Sequence, residues 1–274
     1  VTPKALEALG KALIKDNFWG VQAEVAKVLG SIKNESALDQ LLKGIAVTDS
    51  RARTDVAAAL GNFYQNNRAF DALEKLLDDE DSYFVVASAA TSIGQTKHKL
   101  AFELLKKRIK DVPSTWTEIV KRGYLSGIKE TEKEEAIEII VEYTRPGVPD
   151  YIRREVPAKL AALGKRYKKK HPEIKSVLET LLYDKSYRVQ MGAISATKVY
   201  GDSSLLPALT KLAESSVESG IVRSARVAIR ALGKKKDSTE VASIRKSVEE
   251  LERENRDLKD RIAKVETLLE KNNE

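Results

Sequence analysis

The residue types that most often perform catalysis are few in this sequence and far apart. The chain has two histidines, His98 and His171, and neither has a second ligand at metal-binding spacing. There is no cysteine, no H-E-x-x-H pair, no G-x-S-x-G elbow and no glycine-rich phosphate loop. We therefore expect no catalytic residue, no metal site and no cofactor, and we expect both histidines at the surface.

Arginines offer a different chemistry, the binding of acidic groups, because their planar N–H donors match carboxylates. The candidate residues for binding a peptide or an acidic partner are Arg153, Arg154, Arg188, Arg223, Arg226 and Arg230. The last three are spaced i, i+3 and i+7, so one helix face carries them all. The alternative interpretation is that each arginine extends into water or pairs with a nearby carboxylate.

Composition indicates a folded, non-membrane chain of basic character. Hydrophobic residues make up 42% and charged residues 32% of 274 residues, and the net charge is +7. Residues 237–274 hold eight Lys/Arg and eleven Asp/Glu, so the rest of the chain carries +10. Because no apolar run approaches about 20 residues, no membrane span is expected. The missing cysteines fit a reducing compartment, and a cytoplasmic location is expected; the start at Val1 and not Met predicts a fragment of a longer protein.

A repeat organises most of the chain. Alanine-rich stretches end in glycine at intervals of 31 to 37 residues, at Gly30, Gly61, Gly94, Gly127, Gly164, Gly201 and Gly233. Self-similarity at this period is typical of helical solenoids, in which neighbouring repeats bury one continuous core. Each glycine is expected to end a helix in the left-handed conformation.

Each period is predicted to form two helices, which gives an all-α fold: an α-solenoid of about seven HEAT-like helix pairs over residues 1–236. Aspartates at 16, 49, 81 and 184 precede the second helices, where a short acceptor can cap free backbone N–H groups. Pro157 is expected to kink or break the fifth second helix. Second helices of such solenoids line the binding face, so the candidate arginines are expected there.

The C-terminal segment 237–274 has a different pattern, predicted to be a long coiled-coil helix. Apolar residues step by three and four from Val241 to Leu269, with one asparagine at a core position. The predicted oligomerisation residues are Val248, Leu251, Asn255, Leu258, Ile262 and Val265. They predict a parallel homodimer through 241–269, and the alternative is that the helix docks on the solenoid.

The stretch DNFWGVQAEVAKVLG at 16–30, the repeated A-x-A-L-G endings and the acidic coiled tail together resemble one family. It is the C-terminal HEAT-like region of gluzincin-type zinc aminopeptidases of archaea and bacteria, whose eukaryotic relatives include a TATA-binding-protein-associated factor. The Phe18-Trp19-Gly20-Val21 segment is the most specific part of the likeness. The resemblance implies that the chain is part of a zinc metallo-aminopeptidase. As a non-catalytic domain it would cap the active-site chamber of an upstream zinc-peptidase domain and limit or anchor peptide substrates.

Three other functions remain open at this stage. The first is a free-standing HEAT-repeat scaffold that binds protein partners and dimerises through its coiled coil. Nucleic-acid binding, as in HEAT-like DNA glycosylases, draws support from the basic balance alone and is disfavoured, since interleaved aromatic residues are missing. A bilin lyase with HEAT-like repeats has no particular residue in its favour.

Overall fold

The computed structural model describes residues 1–113, 118–167 and 171–234, together with positions 247, 248, 250, 251, 253 and 254. In these residues there are helices and turns but no β-strand, so this part of the chain is all-helical, as predicted. Within the same residues, no helix combines the length and the apolar character needed to cross a membrane.

The helices alternate as first and second members of seven pairs, and the fifth second helix is split in two. They are α1 (Pro3–Lys15), α2 (Trp19–Ile32), α3 (Glu35–Gly44), α4 (Ser50–Leu60), α5 (Asn67–Asp79), α6 (Tyr83–Gln95), α7 (Ala101–Arg108), α8 (Ile119–Glu130), α9 (Ala136–Glu142), α10 (Asp150–Arg153), α11 (Val156–Arg166), α12 (His171–Leu181), α13 (Tyr187–Tyr200), α14 (Leu206–Ser215) and α15 (219–234). A short 3-10 turn, Ser203–Leu205, precedes α14.

The chain divides into two compact units. Unit 1, Val1–Tyr200, holds the first six helix pairs, and unit 2, Gly201–Glu274, holds the seventh. In unit 1 each second helix packs against the next, as α2 does on α4, α4 on α6 and α6 on α8. This is the stacking of a HEAT- or armadillo-like helical repeat solenoid.

Apolar residues at helical spacing build the core of unit 1. Leu38 and Leu41 of α3 are fully buried, and each buried leucine contributes about 1.5–3 kcal/mol of hydrophobic stabilisation. Second helices contribute alanines instead, such as Ala57 and Ala90, which are also fully buried. Small residues on this side let successive second helices approach closely.

The repeated glycines serve close packing, which corrects the expectation that they end helices in the left-handed conformation. Gly61 has a right-handed φ of −60°, and a Cβ built there would lie 3.0 Å from the Cα of Ser92 in the next second helix. A Cβ on Gly94 would overlap the carbonyl group of Gly127. Of the seven repeat glycines, Gly201 alone has a positive φ, of 73°.

Left-handed residues that end the second helices lie a few positions beyond the glycines and are not glycine. They have φ values between 51° and 56° and are Lys33, Gln65, Lys97 and Glu132. Long side chains tolerate this region less well than glycine, because their Cβ approaches the backbone carbonyl. Close packing between helices therefore explains the positions of most of the repeat glycines. The turns adopt the left-handed conformation with residues other than glycine.

Of the four predicted turn aspartates, Asp49 caps its second helix, whereas Asp16 and Asp184 accept a hydrogen bond from the residue just before α2 and α13. The side chains of Asp16, Asp49 and Asp184 each accept a backbone N–H two residues later, at 2.8–2.9 Å. In the third repeat Glu80, and not Asp81, accepts the N–H of Ser82, the residue just before α6, at 3.0 Å. The longer glutamate reaches the same donor from one residue further back.

Two arginines tie the turns of adjacent repeats together. Arg53, the fourth residue of α4, donates to the carbonyl of Val47 in its own turn at 2.9 Å and to Glu80 in the next turn at 2.7 Å. Arg153, the fourth residue of α10, repeats the arrangement with Val148 at 2.5 Å and Asp184 at 2.8 Å. We call these the inter-repeat arginine pairs, Arg53–Glu80 and Arg153–Asp184.

The predicted break near Pro157 is confirmed. The helix stops at Arg153, two residues form a turn, and α11 begins at Val156 with Pro157 in its first turn. There the missing N–H of proline is harmless, because the first N–H groups of a helix have no intrahelical acceptor. The break places Glu155 between two helical segments.

Most of the predicted coiled coil lies outside the described residues, including Asn255, Leu258, Ile262 and Val265, and so does the predicted domain boundary at 236/237. Val248 and Leu251 are described. Both are helical and exposed, with 47% and 64% of their surface open to solvent. Pairing through 241–269 therefore stays a prediction.

Candidate functional site

The structure gives the candidate arginines of unit 1 different environments. The Arg153 side chain is 15% exposed and belongs to an inter-repeat pair, so it stabilises the turns. Arg154 lies with its guanidinium carbon 5.2 Å from the ring centroid of Tyr151, a cation–π contact. Arg188, in the first turn of α13, is exposed and has no hydrogen bond or ion pair within the described residues.

The three remaining candidates belong to unit 2. Arg223, Arg226 and Arg230 are all exposed on α15. Ala225 and Ala228, which lie between them in the sequence, are buried. The predicted i, i+3, i+7 face is thus a solvent-facing arginine face. None of the three has an ion-pair partner in the part of unit 2 that the structure describes.

Charge in unit 1 is segregated between its helices. We call α2, α4 and α6 the early second helices, and α8, α10–α11 (150–166) and α13 the late second helices. The late group holds ten Lys/Arg and three Asp/Glu, a net +7, whereas the early group holds three and two, a net +1. First helices α7, α9 and α12, paired with the late group, carry four Lys/Arg and five Asp/Glu, a net −1. Positive charge is therefore concentrated on one row of helices in the later repeats.

A groove lies where the early and late groups meet. It has a volume of about 420 Å³ and runs over α6 and α8. Its floor is made of small side chains, and Phe84, which is 64% exposed, stands at its rim. The floor residues include Ala87, Ser88, Thr91, Gly123 and Ser126.

Hydroxyl groups in the floor are already bonded to the backbone. Ser88 Oγ donates to the carbonyl of Thr54 on α4 at 2.9 Å. Thr91 Oγ1 lies 2.9 Å from the Ala87 carbonyl and 3.2 Å from the Gly123 carbonyl on α8. These hydrogen bonds fix neighbouring second helices and leave the floor smooth.

The charged wall of the groove consists of Arg122 and Glu155, and Lys159, which does not line the groove, contacts Glu155. Arg122 Nη2 forms an ion pair with Glu155 Oε1, and Lys159 Nζ lies 3.5 Å from Glu155 Oε2. The side chains of Arg122 and Lys159 are 28% and 12% exposed. Burial lowers the pKa of Lys159, and the neighbouring Glu155 carboxylate opposes that shift.

Sequence reasoning missed this cluster. Arg122 is the fourth residue of α8, the position that Arg53 and Arg153 occupy in α4 and α10. The sequence pattern does not reveal that α8 starts at Ile119, so the shared position was hidden. With the repeats aligned on their second-helix starts, all three arginines fall in register.

His98 is buried, which corrects the expectation of a surface residue. Its ring centroid lies 4.1 Å from that of Phe70, and Nε2 is 2.9 Å from Asn67 Oδ1. Lysines on both sides suggested solvent, but the ring fills space between α5 and the start of α7. The side chain of His171 lies outside the described residues. In the described part, no group of three His, Cys, Asp or Glu is arranged to hold a metal ion.

Comparison with known proteins supports the repeat fold. Residues 6–94 match a family described as HEAT repeats. Comparison with curated proteins gives no match. Among solved structures 48 chains match, and their likeness concerns the helical repeat architecture.

Three of these structures illustrate the likeness. The complex of CpcE and CpcF of phycocyanin lyase from Nostoc sp. PCC7120 has a TM-score of 0.50 and 18% identity, over 83% of this chain and 94% of that chain. The Escherichia coli protein YibA has a TM-score of 0.50 and 17% identity, over 82% and 92%. A computationally designed armadillo repeat protein for modular peptide recognition has a TM-score of 0.31 and 20% identity, over 82% and 99%. At these identities the first two structures show a likeness of fold alone.

Proposed function

We propose that this chain is a non-catalytic helical repeat scaffold that binds an acidic segment of a protein partner. The binding surface is the exposed side of the late second helices. The observation that carries the proposal is the charge segregation, +7 on the late second helices against −1 on the first helices beside them. Helical repeat proteins of this type bind protein or peptide partners, which supports a binding role.

Exposed cations on this row supply the attraction. Arg188 and Lys198 of α13 are exposed and without ion-pair partners in the described residues, so their charges act outward. Several like charges on one surface raise the association rate of an acidic partner and make binding sensitive to salt. The arginine face of α15 adds a second basic surface, in unit 2.

Binding of a labelled octaglutamate peptide, acetylated and amidated, tests the proposal. The double variant Arg188→Ser/Lys198→Ser should bind about three- to tenfold more weakly, because each exposed pair contributes about 0.2–1 kcal/mol. The matched control, Lys99→Ser/Lys107→Ser, removes two exposed charges at α7, a first helix, and should bind like the unmodified protein. Equal weakening by both variants would contradict a site on the second helices.

Nucleic acid is the competing polyanion and is an outcome of the same experiment. A single-stranded oligonucleotide of equal charge is titrated beside the peptide. Nucleic-acid sites add base stacking on aromatic side chains to the phosphate contacts. If the oligonucleotide binds more tightly than the peptide, and Arg188→Ser/Lys198→Ser weakens that binding, the ligand of this surface is nucleic acid and not an acidic protein segment.

We also propose that the scaffold pairs through residues 241–269. Val248 and Leu251 support this, because both are helical and expose apolar surface at the predicted seam positions. Sedimentation of the full chain should show a dimer, and Val248→Glu/Leu251→Glu should give a monomer. A concentration-independent monomer in both cases would contradict pairing.

A placement within a zinc aminopeptidase is a separate hypothesis about context, and it rests on the Phe18-Trp19 resemblance. Phe18 is 59% exposed, and Trp19 stacks with Arg51, whose guanidinium carbon lies 4.3 Å from the ring centroid. An exposed Phe18 would be available to a neighbouring domain. The reading frame upstream of Val1 tests the hypothesis, and a frame without H-E-x-x-H would refute it.

A further inference from the structure

Glu155 pairs with two cations at once, Arg122 of the groove wall and the more buried Lys159. Arg122 approaches it from α8, and Lys159 approaches from the first turns of α11. Glu155 itself lies in the two-residue break between α10 and α11. Its backbone is therefore outside the regular helices, and its side chain projects into the groove that Arg122 also lines.

The cluster has more donors than its single carboxylate uses. Arg122 Nε is buried and makes no hydrogen bond, although a guanidinium carries five N–H donors. One carboxylate faces two cations, so the cluster keeps one net positive charge. Two neighbouring ion pairs at α8, Lys121–Glu118 at 3.6 Å and Lys129–Glu130 at 2.5 Å, are each internally balanced and do not neutralise this excess.

Partial burial makes the excess charge effective. With side chains 28% and 12% exposed, Arg122 and Lys159 are screened less by water and salt than surface lysines are. The pKa of Lys159 is lowered because burial disfavours its charged form more than Glu155 supports it. An additional anion at this position would relieve that penalty.

We infer that Arg122 and Lys159 form a carboxylate-binding site for the acidic partner, and that Glu155 is the chain's own occupant, displaced when a partner's carboxylate binds. This inference rests on the proposed function, since it assigns one specific contact to the acidic segment. The groove beside the cluster, with its smooth floor and the exposed ring of Phe84, offers space for the partner's backbone. An acidic residue that follows an apolar one fits these two features together.

Replacing Glu155 is the sharpest test, because the inference predicts that the variant binds the acidic peptide more tightly than the unmodified protein does. Glu155→Gln frees both cations and should tighten octaglutamate binding about tenfold, whereas Arg122→Gln should weaken it about tenfold, as charge-assisted hydrogen bonds of this strength imply. A neutral peptide with a free C-terminal carboxylate forms the second arm. If it binds as tightly as octaglutamate, the carboxylate comes from a chain terminus and not from acidic side chains.

A measurement on the unmodified protein guards against misfolded variants. The ¹⁵N resonance of Arg122 Nε, assigned by its loss in Arg122→Gln, should shift when octaglutamate is added. Unchanged or weaker binding by Glu155→Gln, or an Arg122 signal that does not respond to bound peptide, would overturn the inference.

The experiments can refute the inference and the proposed function separately. If Arg188→Ser/Lys198→Ser weakens binding and the Glu155 and Arg122 variants have no effect, the scaffold binds acidic segments elsewhere on the late second helices. If the unmodified protein does not bind octaglutamate at all, both the proposed function and this site are refuted.

Discussion

The early and late second helices of unit 1 are built alike and charged differently. Both groups stack through alanine and glycine, and their partner first helices carry the same net charge, −1 in each half. The second helices nevertheless differ by six charges, +1 against +7. Periodic small residues are thus fixed by packing, while the solvent-facing positions between them are free to vary. The features that the two groups share define the fold, and the proposed binding role rests on their difference in charge.

Not every cation of the late group contributes to that difference. Arg153 is held by Asp184 as Arg53 is held by Glu80 in the early group, so these two arginines serve the same structural purpose. Arg188 and Lys198 are exposed without ion-pair partners in the described residues. The exposed early cations Lys27 and Arg51 instead pair with Glu24 and Asp49. Arg188 and Lys198 distinguish a binding surface from a structural one.

The largest effect is expected where the two groups meet, at the contact of α6 with α8. Gly94→Val would place side-chain atoms into the carbonyl group of Gly127, and a backbone atom cannot rotate aside. We expect a loss of about 3 kcal/mol in the free energy of unfolding, measured by urea denaturation.

Gly233→Ala is the matched control, because a Cβ there meets no atom within 4 Å. Alanine is the better helix former, so this variant should gain about 0.5–1 kcal/mol in the free energy of unfolding. A Gly94→Val protein as stable as the unmodified one would contradict the close contact of the two groups.

The inter-repeat arginine pairs should give the next largest effect, and the effect should depend on pH. The Arg53 guanidinium lowers the pKa of Glu80 below its ordinary 4.5, so the folded state favours the carboxylate. The stabilisation is present above pH 4.5 and is lost as pH falls through the lowered pKa. Glu80→Gln should lose about 1–3 kcal/mol at neutral pH, and less in acid, where the unmodified protein also becomes protonated.

Asp184→Asn, the late counterpart, sharpens the comparison between the groups. It removes the same contact from Arg153 and should lower the free energy of unfolding to a similar extent at neutral pH. Urea denaturation over a pH series measures both variants. A loss that stays constant into acid would show that the carboxylate charge of Glu80 is not its cause.

A smaller and opposite effect is expected from Lys159→Met in the late group. The pKa of Lys159 is lowered, so its charge opposes folding at neutral pH, and the unmodified protein should gain stability as pH rises through the lowered pKa. Methionine removes the buried charge and should raise the free energy of unfolding by about 1 kcal/mol at neutral pH. Destabilisation would indicate that the ion pair with Glu155 outweighs burial.

The smallest effect belongs to exposed ion pairs in the first helices. Arg68 of α5 contacts Glu35 and Asp39 of α3, and all three side chains are about half exposed or more. Arg68→Ala should lower the free energy of unfolding by no more than about 1 kcal/mol, and added salt should shrink the difference. A larger loss in the free energy of unfolding would show that Arg68 stabilises the fold as much as a buried ion pair does.

The repeat fold was accessible from the sequence, because its signal occurs many times. The seven alanine-glycine endings, the turn aspartates and Pro157 predicted the helix pairs, the cap of α4 by Asp49 and the break. The sequence did not reveal why the glycines recur, because a left-handed helix end and a close approach between two helices both favour glycine. Inter-helix distances, as between Gly61 and Ser92, separate the two explanations.

The candidate site was accessible only in part. Exposed arginines such as Arg188 follow from helical spacing, whereas the Arg153–Asp184 pair joins residues 31 positions apart and depends on how two repeats stack. The Arg122, Glu155 and Lys159 cluster was missed for the same reason. His98 was misjudged because its charged neighbours reveal nothing about the ring of Phe70 that covers it.

The inter-repeat arginine pairs also bear on how such a chain gains or loses length. Arg53, in repeat two, pairs with a turn carboxylate of repeat three. Asp184, in the turn of repeat six, pairs with an arginine of repeat five. A deletion that fused repeat two directly to repeat six would bring Arg53 beside Asp184 and leave neither without its counterion. Excision of repeats three to five would therefore preserve the arginine–carboxylate joint between the repeats that remain.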